Sequence, residues 1–507
     1  MRHKWALCIS TFCMRKTAKR IAKAVIVIGI LTLCAVFFSK PTDIVNADLG
    51  RHIINGQVFF EKGWPITTNF YSYTNTHFPV INHHWASGVL FYLIYQLSDF
   101  QGLALFYIAI ILTTLVLIIS ISRKQNGLLA TAIATLLALP LLYYRTDIRP
   151  EGLSYLFIAL YLYFLNRTPP EKLQKKHILF IAMLQIFWTN LHIFFAFGPL
   201  LIILWQLQHF KSWKKTWAFP ATVCLACLIN PAFIQGALVP LTIFHNYGYM
   251  LAENQTLLFM SKRTHNPIFT YTVLYMSLVS ISFIPIRHIK KPFWKLSQII
   301  IFGALALSAV RSIPIFGLIS IPIFAQNLTY IKSRRLLTGF LIGVLLITLI
   351  IPLPYFCIWK QPLTIGITDS QQEAAQFFKY YQLKGPIFNN YDNGSYLIFH
   401  LYGQEKVFVD NRPEAYPSTF FKTYQDIQSN ESCWQENLKK YDFNTIFFDR
   451  RDMTEWAQPF LIKRLQDPEW APVYIDTASI ILVRRTAQNE AIIKNHELAK
   501  SLFITTK

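Results

Sequence analysis

The chain has 507 residues, of which 53% are hydrophobic and only 15% charged, and its mean hydropathy is +0.34. A soluble domain carries about 25% charged residues, so a protein soluble throughout is excluded. Disorder is excluded by the 16% aromatic content, and a fibrous class by the lack of a strict repeat.

The formal net charge of +22 invites a nucleic-acid partner, but its distribution refuses one. The Lys and Arg residues stand in short clusters between apolar runs. The first is the N-terminal stretch 1–23, and the next are Arg123–Lys124, Arg167 with Lys172, Lys175 and Lys176, and Lys211 with Lys214 and Lys215. Arg287 with Lys290, Lys291 and Lys295, and Lys332 with Arg334 and Arg335, complete the series. Short basic loops on alternate connections mark the cytoplasmic side of a membrane protein. The charge is a topology signal and requires no nucleic acid.

The apolar runs predict helices at about 24–39, 102–122, 128–143, 152–166, 177–191, 193–209, 216–230, 269–286, 296–310, 312–330 and 336–356. Each is near the roughly 20 residues needed to cross a bilayer. Eleven crossings give a multi-pass cell-membrane protein: a cytoplasmic N-terminus at 1–23, a transmembrane unit at 24–356 and an extracytoplasmic domain at 357–507. The first segment lacks the small-residue cleavage site of a signal peptide. Of the seven Cys, Cys8 and Cys13 are expected reduced in the cytosol, and Cys224 and Cys227 read as structural thiols within a span. Only Cys357 and Cys433 could meet outside.

Outside lie the first loop, 40–101, and a second, 231–268. The first holds two amphipathic stretches, 48–62 and 84–98, read as helices in the interface, where Trp and Tyr settle. In the last 150 residues, expected helices at 369–380, 394–401, 418–428, 433–440 and 456–466 alternate with strands. The strands fall at 385–389, 406–410, 445–449, 471–476 and 479–484. This pattern predicts a small α/β domain with a partly parallel sheet. No glycine-rich phosphate loop follows a strand, so nucleotide binding has no support.

The expected spans carry no Asp, Glu, Lys or Arg near their middles, which counts against a pump or symporter. The polar residues gather instead at outer helix ends: Asp43, Asp48, Arg51 and His52; His83 and His84; Arg145, Asp147, Arg149 and Glu151. Asn190, His192, Glu253 and Arg311 complete the set. Arg145, Arg149 and Arg311 sit in turns on the side where basic residues are sparse. They either pair with Asp147 and Glu151 or outer-leaflet phosphates, or hold the phosphate of a lipid-linked donor, which the planar guanidinium fork fits. Asp48 either caps an interfacial helix or serves as a general base. Sugar transfer from a phosphate-linked donor needs one base and no partner acid, because the phosphate leaves as an anion; glycoside hydrolysis uses a carboxylate pair. Asp43 is the backup. The histidines read as interfacial packing residues or ligands. No His-x-x-x-His or comparable spacing supports a divalent metal, and no cofactor is implied.

Several segments together resemble a known family. They are Asn46-Ala47-Asp48-Leu49-Gly50-Arg51-His52, Asn69-Phe70-Tyr71-Ser72-Tyr73-Thr74, Asn82-His83-His84-Trp85 and Arg149-Pro150-Glu151. Further matches are Trp188-Thr189-Asn190-Leu191-His192, Asn230-Pro231, Arg311-Ser312-Ile313-Pro314, Asn389-Asn390-Tyr391-Asp392 and Val409-Asp410-Asn411-Arg412. The set resembles bacterial multi-pass members of the type C glycosyltransferase superfamily. The resemblance implies a helix bundle with interfacial helices in the first outer loop, a polyprenyl-phosphate sugar donor and an active site at the outer face. It also implies catalysis by Asp48 and transfer to a glycan, lipid or protein acceptor of the envelope. The chain departs from the family where Asn46 replaces a first Asp and His84 a Glu, which argues against a paired-carboxylate metal site. A lipid or glycan flippase, and an inactive envelope protein of the same fold, are the alternatives.

Overall fold

The computed structural model describes residues 2–45, 47–242, 248–284, 293–330, 364–367 and 371–503. The eleventh expected span at 336–356, Cys357 and Asn46 lie outside the described residues.

Every other expected span is helical. Arg2–Phe38, Leu128–Tyr143, Glu151–Arg167, Lys175–Leu191, Phe197–Gln208, Ala218–Ala226, Pro267–Ile281, Phe293–Ser308 and Ile313–Thr329 follow the apolar runs in order. Among the described residues, Arg20–Phe38, Trp85–Asn126 and Val310–Thr329 are individually long and apolar enough to cross a membrane. A fourth crossing arises if the bent pair Ile193–Gln208 and Phe210–Thr216 is one span. The chain is a multi-pass membrane protein. Ile313–Thr329 is buried on almost every side and packs against Leu128–Tyr143 and Trp85–Asn126; a helix apolar all round belongs at the centre of a bundle.

The two interfacial stretches of the first loop are also helical. Leu49–Lys62 ends on Gly63, whose φ of 75° is left-handed. The stretch from Trp85 runs into the following span, but the helix breaks at Ser98 and Asp99. The Asp99 carboxylate accepts the Phe100 N–H at 2.7 Å and restarts the helix, so two helices of different direction share one run. The two interfacial helices cross at glycines. A Cβ on Gly56 would stand 2.2 Å from the Gly88 carbonyl oxygen, and one on Gly88 would stand 2.8 Å from that of His52. This close approach sets His52 beside His84.

The C-terminal part is α/β. Strands β1 (Ile387–Asn389), β2 (Thr445–Asp449), β3 (Trp470–Ile475) and β4 (Ser479–Arg484) form a sheet in the order β1-β2-β4-β3. β1 and β2 are parallel and the other pairs antiparallel. All five residues of β2 are buried, as expected of a strand covered on both faces. The helices Gly394–Leu401, Ser418–Ser429, Glu431–Tyr441 and Ala457–Gln466 match expectation, and the helix expected at 369–380 spans Glu373–Tyr380. One strand is corrected. Segment 406–410 does not join the sheet. Val407 instead bridges to Ser72 of the first loop, while the Asn389 side-chain oxygen accepts the N–H groups of Phe408 (2.8 Å) and Val409 (3.4 Å).

That correction shows how the C-terminal part is held. The Arg51 N–H donates to Ser395 Oγ at 2.9 Å, and Gly50 lies under Phe399, where a Cβ would meet another Cβ at 2.7 Å. Arg412 binds Asp410 and reaches Asn69 Oδ1 at 2.7 Å, all three side chains being buried. The sheet domain therefore sits directly on the two helices of the first loop.

Candidate active site

A cavity of about 540 Å³ opens where one set of helix ends meets the C-terminal domain. Its walls come from distant segments: 48–55, 79–84, 144–151, 192–193, Val239, Thr242, 251–254, Arg311, Tyr391–Asp392 and 411–414. Glu151–Arg167 presents Glu151 to the cavity and Arg167 to its far end; Trp85–Asn126 likewise carries Arg123 and Lys124 at the end away from the cavity. The basic clusters and the cavity thus occupy opposite ends of these helices.

Asp48 stands at the N-terminus of Leu49–Lys62, but its side chain makes no capping bond. The carboxylate faces the cavity instead. Oδ1 accepts a hydrogen bond from the Asn411 amide and lies 3.7 Å from Arg51 Nη2, and Oδ2 lies 3.6 Å from Arg149 Nη1. Arg51 Nε in turn donates to Asn411 Oδ1 at 3.2 Å. The carboxylate at the head of the first interfacial helix is therefore oriented by both halves of the molecule.

Arg145, Arg149 and Arg311 converge on Glu253, with N–O distances of 2.8, 3.3 and 3.2 Å. Arg145 also pairs with Glu151, whereas Asp147 pairs with Lys40 at 3.6 Å. Burial alone would raise the proton affinity of Glu253. The guanidinium groups of Arg311, Arg145 and Arg149 override it and hold the carboxyl well below its ordinary range. Three arginines from two connections thus focus on one anionic position, the arrangement that also suits phosphate oxygens.

His52, His83, His84 and His192 form the adjoining wall. The His84 ring lies 4.0 Å from that of His83, 5.0 Å from that of His192 and 5.4 Å from that of His52. Burial, followed by the neighbouring histidines and nearby arginines, lowers all four proton affinities, that of His83 to about 4, so the imidazoles are neutral. His192 Nδ1 is engaged by Ser154 Oγ at 2.8 Å, and His52 Nδ1 is buried without a hydrogen-bond partner. Among the described residues, no group of three or more His, Cys, Asp or Glu is placed to hold a metal ion.

Two residues put forward from the sequence are not at the cavity. Asp43 pairs with Arg451 of the C-terminal domain at 2.8 Å, because the chain turns between residues 43 and 48. Asn190 has a packing role, accepting from Trp85 Nε1 at 2.8 Å and donating to the carbonyls of Ile186 and Ile229. Other wall residues were not foreseen: Tyr391, Asp392, Asn411, Arg412 and Glu414. The segments 389–392 and 409–412 stood out as family-like, and that was the one signal for Tyr391, Asp392, Asn411 and Arg412; Glu414 had none.

No protein-family model matches the sequence, and no curated protein matches it. Solved structures do. The archaeal oligosaccharyltransferase AglB from Archaeoglobus fulgidus, in complex with an inhibitory peptide and a dolichol-phosphate, superposes with a TM-score of 0.56. It is 10% identical, over 90% of this chain and 73% of AglB. ArnT from Cupriavidus metallidurans, bound to undecaprenyl phosphate, gives 0.51 at 11% identity over 93% of this chain and 99% of ArnT. Both neighbours are type C glycosyltransferases, and this chain has their fold.

Proposed function

We propose that this protein is a membrane glycosyltransferase that moves a sugar from a polyprenyl-phosphate-linked donor to a glycan, lipid or protein acceptor of the envelope, at the outer membrane face. One observation carries the reading: Asp48 and the arginines of two separate connections, Arg145 with Arg149 and Arg311, border a single cavity, and Asp48 touches one of those arginines. The fold shared with proteins solved with dolichol-phosphate and undecaprenyl phosphate supports it. With the basic loops inside, the N-terminus is cytoplasmic, residues 24–356 form the membrane unit, and 357–507 and the cavity face outward.

In this reading the donor phosphate lies against Arg145, Arg149 and Arg311, sharing or displacing the Glu253 carboxylate. The acceptor hydroxyl gives its proton to Asp48 as its oxygen bonds to the anomeric carbon. The bond from that carbon to the phosphate oxygen breaks, and polyprenyl phosphate leaves as an anion held by the guanidinium groups. Arg51 and Asn411 aim the Asp48 carboxylate, and the neutral histidines fill the wall behind it. Asp48→Asn, expressed in a deletion strain, is expected to lower consumption of lipid-linked sugar in membranes by about 10²-fold or more. Undiminished turnover rejects the assignment.

A further inference from the structure

The wall that the C-terminal domain gives to the cavity has a chemistry opposite to that of the arginine wall. Asp392 lines the cavity, and among the described residues its side chain has neither a hydrogen bond nor an ion pair. Its charged neighbours are other carboxylates. Asp449 and Asp452 lie behind it from the end of β2, and Asp48 faces it from the first loop. None can lend it a cation: Asp449 is bound by Arg451 at 3.0 Å, Asp452 accepts from Asn390 Nδ2 at 3.0 Å, and Asp48 is held by Arg51 and Arg149. Glu414, also in the wall, lies in the field of Arg51 and Arg412.

A second observation points to a ligand. Tyr391 is 3% exposed and lines the same cavity, yet its hydroxyl has no hydrogen-bond partner. Its ring is fixed by stacking on Tyr249 at 4.1 Å, and its own N–H donates to Tyr424 Oη at 2.9 Å. A buried hydroxyl left unbonded is destabilising, and so is a half-buried carboxylate set among like charges. Burial, with Asp452, Asp449 and Asp48, pushes the Asp392 carboxyl up to about 7. A cationic donor group seated here would let Asp392 ionise and would give the Tyr391 oxygen a proton to accept.

We propose that Asp392 and Tyr391 form a subsite for a protonated amine carried by a substrate of this cavity, whether on an amino sugar or on the headgroup of an amine-bearing lipid. The Asp392 carboxylate pairs with the ammonium, the Tyr391 hydroxyl accepts one of its N–H groups, and the arginine wall on the far side keeps the cation at this end. The inference rests on the reading of the cavity as a ligand site and names the ligand's charge. Binding is therefore measured in place of turnover, so that failure here leaves the Asp48 test standing.

The full chain in nanodiscs of phosphatidylglycerol is titrated with glucosamine and with glucose at pH 7.5. Glucosamine is expected to bind roughly tenfold tighter or better, the effect of one charge-assisted hydrogen-bonded contact, and Asp392→Asn abolishes the preference. Replacing part of the phosphatidylglycerol by phosphatidylethanolamine distinguishes the sources. Weakened glucosamine binding assigns the subsite to a lipid amine, and unchanged binding assigns it to an amino sugar. Should Asp392→Asn fail to fold, the native protein decides: the preference for glucosamine falls by up to about tenfold from pH 7 to pH 6 as Asp392 takes up a proton. Equal affinities for the two sugars, or a preference that survives in Asp392→Asn or is indifferent to pH, overturns the proposal.

Discussion

The side-chain amide of Asn411 donates a hydrogen bond to the carboxylate of Asp48, joining residues 363 positions apart. One belongs to the first outer loop and the other to the C-terminal domain, so docking of the domain and orientation of the carboxylate are one event. The Asn411→Leu variant keeps the branched shape and removes both polar atoms. Asp48 keeps Arg51 and Arg149 as neighbours but Arg51 Nε loses its acceptor, so Asn411→Leu should cost about 1–3 kcal/mol of stability, while turnover in membranes falls at least about tenfold through misaligned base geometry. Wild-type turnover in this variant would show that the contact does not orient Asp48.

The interface has a second polar lock. Arg412 and Asp410 are both buried, with a 2.7 Å ion pair, and Arg412 also holds Asn69. Removing one partner of such a pair leaves an uncompensated charge and costs about 3–5 kcal/mol. Arg412→Met is thus expected to lower the melting temperature of the purified protein sharply, and Asp410→Leu added to it should recover most of the loss. A single variant that melts like the native chain would contradict this account of docking.

Acid should weaken the fold through the histidine wall. The folded-state proton affinity of His83 lies near 4, lowered by burial and by Arg311 and Arg51 against the hydrogen bond it donates to the Ile81 carbonyl, and that of an unfolded histidine near 6.5. The unfolded chain therefore binds more protons between those values, so stability is complete above about pH 6.5 and is lost as pH falls toward 4. His83 alone contributes a loss of about 1–2 kcal/mol between pH 7.5 and 5. His83→Asn should flatten the dependence of melting temperature on pH over this range; an unchanged slope would show that the imidazole takes up its proton without opening the wall.

Elements with strong local periodicity were legible in the sequence. The helices at 128–143, 394–401 and 457–466 follow from apolar spacing, and the amphipathic helix at 49–62 from its two faces. The strand expected at 406–410 was not one, because its apolar alternation satisfies a bridge to Ser72 and a side chain, Asn389, supplies the hydrogen bonds a neighbouring strand would have made. The acid and arginines of the membrane part could be named because helix ends on one side of a bilayer must meet. Asn411, Asp392 and Tyr391 could not, since nothing in local spacing tells which face of a separate α/β domain turns toward the membrane. Asp43 and Asp48 show the same limit at short range: five positions apart, they point to Arg451 and to the cavity.

The central claim is that the arginines focused on Glu253 form a phosphate site open to a lipid-linked donor. Binding of undecaprenyl phosphate to the purified full chain, followed by phosphorus NMR with undecaprenol as competitor, tests it most directly. The account predicts that the phosphate binds far more tightly than the alcohol, and that Arg149→Gln combined with Arg311→Gln weakens the phosphate by roughly tenfold or more per arginine while leaving the alcohol unaffected. Equal affinity for phosphate and alcohol, or a double variant that binds the phosphate as the native chain does, would contradict it.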